Sequence, residues 1–230
     1  MIRTCGLLAG WLAGASALFG QTGFPFAGED LKYTVNWPSG LSLGEAHMRA
    51  VRGSDKSWQF EFALEAAIPG FSVSDSHRAS ATSSLCSVEL AKDATRGKRK
   101  WRETVSFDSG KGVATRATPG GGKSEFPISA CAKDALTFLY FTRLELGQGR
   151  VPKAETIVFG AAYQARLEYT GPTTTRVSDR SAVADRLVVS LKGPKSDLTF
   201  EMLFARDAAR TPLAVRVPFA LGTFSLELAQ

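Results

Sequence analysis

The sequence predicts a mostly β protein: a strongly curved antiparallel sheet, or a partly open β-barrel, of roughly a dozen strands wrapped around one α-helix at 132–146. Three observations lead there. Runs of alternating apolar and polar residues recur from Leu31 to Leu228, separated by Gly, Pro, Asp and Ser turn signals. One segment, AKDALTFLYFTRLEL from Ala132 to Leu146, is apolar nearly all round at helical spacing, the mark of a helix buried on several sides. Sheets of about ten strands or more curl, split or close on themselves, and a buried helix gives such a sheet something to curl around.

The chain begins with Arg3, an apolar run from Leu7 to Ala15 and an Ala15-Ser16-Ala17 cleavage signal. This reads as an export leader at 1–20, cut after Ala17 or Gly20. The run is shorter than the ~20 residues a membrane-spanning helix needs, and no later stretch approaches that length. Cys5 precedes the apolar run, which argues against lipoprotein processing. Residues 21–230 are expected to form a single β-rich domain in the periplasm or outside the cell. The net charge of +6 falls to +5 without Arg3. That modest excess suits anionic lipid surfaces better than nucleic acid.

Leu31, Tyr33, Val35 and Trp37 alternate with polar residues as a half-buried strand, ended by Pro38-Ser39-Gly40. Leu43–Arg52 follows, with Ala46, Met48 and Ala50 in phase. Trp58, Phe60, Phe62 and Leu64 make the clearest strand. Phe71–Ser83 reads more weakly, anchored by Val73. Val88–Thr95 and Trp101–Phe107 form a hairpin through Arg96–Lys100. Val113–Ala117 leads through Pro119–Gly122 to a short strand ending at Pro127. Beyond the helix, Thr156–Phe159 pairs with Tyr163–Tyr169. Gly171–Asp179 reads as a Thr-rich polar loop, and Ala184–Lys192, Leu198–Ala205, Leu213–Phe219 and Thr223–Leu228 close the chain.

For the helix, Ser129 is the expected N-cap, with Gly147 and Gly149 as stop signals. Ala135, Leu136, Leu139, Tyr140 and Leu146 share one face, while Phe138, Phe141 and Leu144 point elsewhere. Arg143 falls within the apolar face, so burial would require a carboxylate or carbonyl partner. Outside the leader the cysteines are Cys86 and Cys131, an even count that suggests a disulfide in an oxidising compartment. The alternative is two buried thiols.

Little in the chain points to catalysis. The two histidines, His47 and His77, lie in strands at positions read as exposed. Asp75-Ser76-His77 holds the residue types of a hydrolase triad, but consecutive strand residues face opposite sides and do not form one. Nucleophile-elbow, zinc-protease and phosphate-loop motifs are absent from the sequence, so no enzyme activity, metal or cofactor is expected. The basic run Arg96, Lys98, Arg99, Lys100 and Arg102, with Trp101 inside it, is either a solvated hairpin tip or a contact for lipid head groups. Phe138, Phe141, Leu144 and Tyr140 of the helix, with Trp58, Phe60 and Phe62 opposite, are candidates to line a ligand cavity. Phe200, Met202, Phe204, Phe219 and Phe224 extend that apolar set.

Three stretches resemble the bacterial exported family called domain of unknown function 3108. They are Phe24-Pro25-Phe26-Ala27-Gly28-Glu29 with Leu31-Lys32-Tyr33, Trp37 and Gly44-Glu45-Ala46; Lys133–Tyr140 with Arg143; and Asp207, Arg210 and Pro212. Thr137 stands where that family often has Ser, which keeps the hydroxyl. The resemblance implies export and a curved antiparallel sheet with a helix, an architecture similar to periplasmic lipoprotein carriers. It brings no activity with it. The functional expectation is a periplasmic protein that binds or carries an apolar or amphipathic ligand such as a lipid. The alternative is a non-catalytic scaffold of the cell envelope that binds another protein.

Overall fold

The structure, a computed structural model, describes residues 25–229 apart from 69, 178, 179 and 195; the leader expected at 1–20 lies outside the described residues. In chain order the strands are β1 (Glu29–Asn36), β2 (Ser42–Arg52), β3 (Trp58–Ile68), β4 (Phe71–Ala81), β5 (Ser87–Arg96), β6 (Arg99–Asp108), β7 (Val113–Ala117), β8 (Lys123–Pro127) and β9 (Lys133–Asp134). Helix α1 (Ala135–Gly147) comes next. It is followed by β10 (Glu155–Val158), β11 (Ala162–Val177), β12 (Arg180–Lys192), β13 (Asp197–Ala205), β14 (Pro212–Phe219) and β15 (Gly222–Leu228).

These strands form one sheet in the order β8-β7-β6-β5-β4-β3-β2-β1-β15-β14-β13-β12-β11-β10-β9. Neighbours are antiparallel except β9 and β10. The first eight strands meander outward from β1 and the last six return to β15. The ladder of Tyr33 with Leu228 through Asn36 with Ser225 joins the two halves. The sheet curls but does not close. Its seam lies where β5 meets the β9–α1 corner: the Ser87 amide donates to the Ala132 carbonyl at 3.0 Å, and the Cys86–Cys131 disulfide sits beside it. Strands β6 to β8 continue past this seam.

The helix fills the curl. Leu136 and Tyr140 pack on a core from β1 to β5 that includes Phe26, Tyr33, Met48, Trp58 and Phe60. Phe138 and Leu146 pack on a second core from β10 to β13 with Ile157, Leu187 and Phe204. Leu139 and Phe141 touch both. A helix contacted on both flanks has no polar stripe to spare, which is why its sequence is apolar all round.

Four expectations are corrected. The helix begins at Ala135, not 132, because its N-cap is Asp134 rather than Ser129: the Asp134 carboxylate accepts from the Leu136 and Thr137 amides at 2.8 and 3.0 Å. Lys133 and Asp134 are a short strand instead. The Thr-rich segment after Gly171 is the second half of β11 through Val177, paired with β12 beyond an irregularity at Tyr169 and Gly171. Thr is β-branched and suits a pleated surface. His77 is buried, not exposed, on the inner face of β4.

Candidate functional site

Two features of the interior are set by α1. The first is a polar lock at its C-terminal half. Arg143 is fully buried and donates to Glu29 through Nη1 at 2.7 Å and Nη2 at 2.5 Å, with Nε on the Ala209 carbonyl at 3.1 Å. Its guanidinium lies 4.3 Å from the Phe26 ring centre and 4.9 Å from that of Tyr140. The Tyr140 hydroxyl donates to Glu29 at 3.2 Å, and the Tyr33 hydroxyl donates to the Pro212 carbonyl at 3.0 Å. Burial pushes both phenols above their usual range. The carboxylate and carbonyl partners that a buried Arg143 requires are thus both supplied. At the other end of the helix, Asp134 also accepts from Ser87 Oγ at 2.5 Å and Thr137 Oγ1 at 2.6 Å, tying the cap to β5 across the seam. Burial outweighs these bonds and pushes its carboxyl upward.

The second feature is a cavity of about 260 Å³ beside the N-terminal half of α1. Ala135, Leu136, Phe138, Leu139 and Thr142 supply one wall. Phe62 and His77 supply a second, and Ile157, Phe159, Leu167, Val189, Leu191, Phe200 and Met202 complete it. The cavity exists because α1 fills the far end of the curl, where Phe60 stacks on Tyr140 at 4.0 Å, and leaves the near end between β3–β4 and β10–β13 unfilled. The wall carries His77 and Thr142 as its titratable and hydroxyl groups. Thr142 Oγ1 is buried with no hydrogen-bond partner among the described residues.

His77 is held by aromatic contacts: its ring stacks on Phe159 at 5.2 Å and meets Phe62 edge-on at 6.0 Å. Burial first, and then the Lys92 charge, push its pKa down to about 4, against the opposing pull of Asp75 and Glu103. It is therefore neutral at pH 7. Lys92 reaches over the Phe159 ring, 4.3 Å from its centre. Behind it Asp75 pairs with Arg96 at 3.1 Å and Glu103 with Arg116 at 2.6 Å. Ser76 faces the opposite side of β4, so Asp75, Ser76 and His77 do not converge. Among the described residues no group of three or more His, Cys, Asp or Glu side chains stands in metal-binding range.

Of the cavity candidates named from the sequence, Phe138 and Phe62 line it, together with Phe200 and Met202. Tyr140, Trp58 and Phe60 are fully buried in the core on the other flank of the helix, and Phe141 and Leu144 pack against that core. Phe204 belongs to the second core, while Phe219 and Phe224 lie at the β14–β15 hairpin. Sequence reasoning missed His77, Ala135, Leu136, Leu139, Thr142, Ile157, Phe159, Leu167, Val189 and Leu191. The in-phase apolar positions of β11 and β12 were the available signal for three of these. In the basic run, Arg96 lies 5.1 Å from the Trp101 ring centre and is paired with Asp75, and Arg102 is paired with Asp93. Lys98, Arg99 and Lys100 are exposed and make no ion pair among the described residues. A larger groove of about 510 Å³ crosses the outer face of β2–β5 among Arg49, Glu61, Arg78 and Glu89. Its charged walls lack the dry surface an apolar ligand requires.

A barrel-like β fold is also found in a solved structure. The chain is similar to the crystal structure of a beta-barrel-like protein of domain of unknown function DUF1849 from Brucella abortus, with a TM-score of 0.62 and 5% sequence identity over 89% of this chain and 97% of that one. At that identity the likeness concerns the fold alone. No curated protein matches the chain in sequence. The profile of the protein family of unknown function DUF3108 matches residues 32–229, and the chain belongs to that family.

Proposed function

We propose that this is an exported, periplasmic protein that binds or carries an apolar or amphipathic ligand such as a lipid in the cavity beside α1. The observation that supports this most is the cavity itself: about 260 Å³ of nearly all-apolar space left open within an otherwise packed interior. Covering these apolar walls with an apolar molecule removes that surface from water, which favours binding. The leader read from the sequence and the disulfide fit an oxidising compartment. Nothing in this reading requires catalysis.

The test is native mass spectrometry of the purified protein, followed by titration with an environment-sensitive fluorescent fatty acid. The expected result is copurifying lipid or saturable probe binding that Leu139→Trp abolishes by filling the cavity. The absence of both copurifying lipid and saturable probe binding would sink the reading. The runner-up is a scaffold that recruits another protein by adding a strand to the β8 edge. That edge is short and ends in Pro127, and its Lys123 and Glu125 are paired at 2.8 Å, features that blunt strand addition.

A further inference from the structure

We propose that four neighbouring hairpin turns at one end of the sheet dock on the surface of an anionic lipid bilayer. The strand directions place the β5–β6, β3–β4, β1–β2 and β14–β15 turns at the same end, and the sheet order makes these hairpins immediate neighbours. The tips carry large apolar side chains in water: Leu221 is 72% exposed, Leu41 67%, Phe219 58% and Phe71 46%. Phe71 and Phe219 are tied to apolar neighbours. Phe71 lies against Gly97 of the next turn, where an added Cβ would stand 3.3 Å from its ring. Trp37 meets Phe224 at 4.8 Å and Phe224 meets Phe219 at 5.4 Å. An apolar hollow of about 220 Å³ joins Trp37, Leu43, Phe71 and Phe224 between them. Contiguous exposed apolar surface of this kind marks an interaction site.

Charge selects the occupant. Lys98, Arg99 and Lys100 stand beside the apolar tips at the β5–β6 turn, exposed and without an ion pair among the described residues, whereas Arg96 and Arg102 are neutralised by Asp75 and Asp93. Glu45 and Glu65 lie on the outer face, below the tips. Apolar tips that enter the head-group region, flanked by cations that meet lipid phosphates, are the pattern of an interfacial membrane contact. The cavity beside α1 lies toward this same end, since Phe159, Leu191 and Phe200 sit close to its turns. The inference does not depend on the cavity holding a ligand, and its test leaves the cavity untouched.

The experiment is flotation of the purified full chain with vesicles of phosphatidylcholine, with and without phosphatidylglycerol, at low and high salt. The expected result is binding to the anionic vesicles only, weakened by salt. Lys98→Gln with Arg99→Gln and Lys100→Gln should weaken it by roughly 100-fold, at about five-fold per charge removed. Leu41→Asp with Leu221→Asp should abolish it while melting stays unchanged, because both side chains are in solvent. The proposal is overturned if the wild type leaves anionic vesicles unbound, or if either variant binds as well as wild type. It is equally overturned if the apolar surface proves to be covered by a second copy, seen as a dimer that Leu41→Asp with Leu221→Asp splits.

Discussion

Replacing Arg143 by Met tests whether the lock at the end of α1 holds the helix in the sheet. The substitution keeps an unbranched side chain but removes the two bonds to Glu29, the bond to the Ala209 carbonyl and the contact with Phe26. It also leaves a mostly buried carboxylate with only the Tyr140 hydroxyl. Removing one partner of a buried ion pair costs about 3–5 kcal/mol, because the other charge stays buried and uncompensated. For a chain of this length that is a fall in melting temperature of about 6–20 °C. Urea unfolding followed by tryptophan fluorescence, to which buried Trp58 contributes, reads the change. The control is Glu29→Met combined with Arg143→Met. It leaves no stranded charge and should lose at least about 2 kcal/mol less than the two single changes added together. If Arg143→Met unfolds within about 1 kcal/mol of wild type, or if the two changes are simply additive, the helix is held by its apolar contacts alone and the argument fails.

Three further outcomes are expected. Replacing Cys86 and Cys131 together by Ala should cost about 4 kcal/mol in urea unfolding, the chain entropy released when a link across 45 residues is cut, and an unchanged midpoint would show the seam to be held by hydrogen bonds instead. His77 should make stability fall on acidification. Its folded pKa of about 4 lies below the unfolded 6.5, so the unfolded chain binds the extra proton between those values, and up to about 3 kcal/mol present above pH 6.5 is lost as pH drops to 4. His77→Gln should lose correspondingly less over that window, and equal losses in both proteins would refute the assignment. Thr142→Val keeps the side-chain shape and removes a buried hydroxyl with no partner, so it should raise stability by about 1 kcal/mol; a lower urea midpoint would mean that the hydroxyl is satisfied in solution.

The curl and its single helix were legible because both rest on periodicity. Trp58, Phe60 and Phe62 alternate cleanly, and the apolar helix has only an interior to go to. The helix start was misplaced because Asp134 sits inside an apolar run and gives a cap signal only through its neighbours, whereas Ser129 stands at the conventional distance. The second half of β11 was hidden by Gly171 and Pro172, which signal a turn but here sit at a ladder irregularity. The cavity was half legible. Alternation says which side chains face inward, but it does not say how far the helix reaches along the curl. That depth decides that Tyr140 and Phe60 are packed solid while Phe138 and Phe62 border open space. His77 looked exposed because Ser and Asp surround it. The three stretches behind the family resemblance converge in space: Glu29, Tyr140 with Arg143, and the turn before Pro212 meet at the lock. They mark how the helix is secured.

Pairing β1 with β15 at the middle of the sheet has a consequence for assembly. A chain delivered N-terminus first can zip β1 to β8 early, yet β1 keeps a bare flank until β15 arrives nearly two hundred residues later. Completion therefore waits on that distant strand, and a molecule lacking the β14–β15 hairpin is left as two half-sheets with sticky borders, prone to self-association.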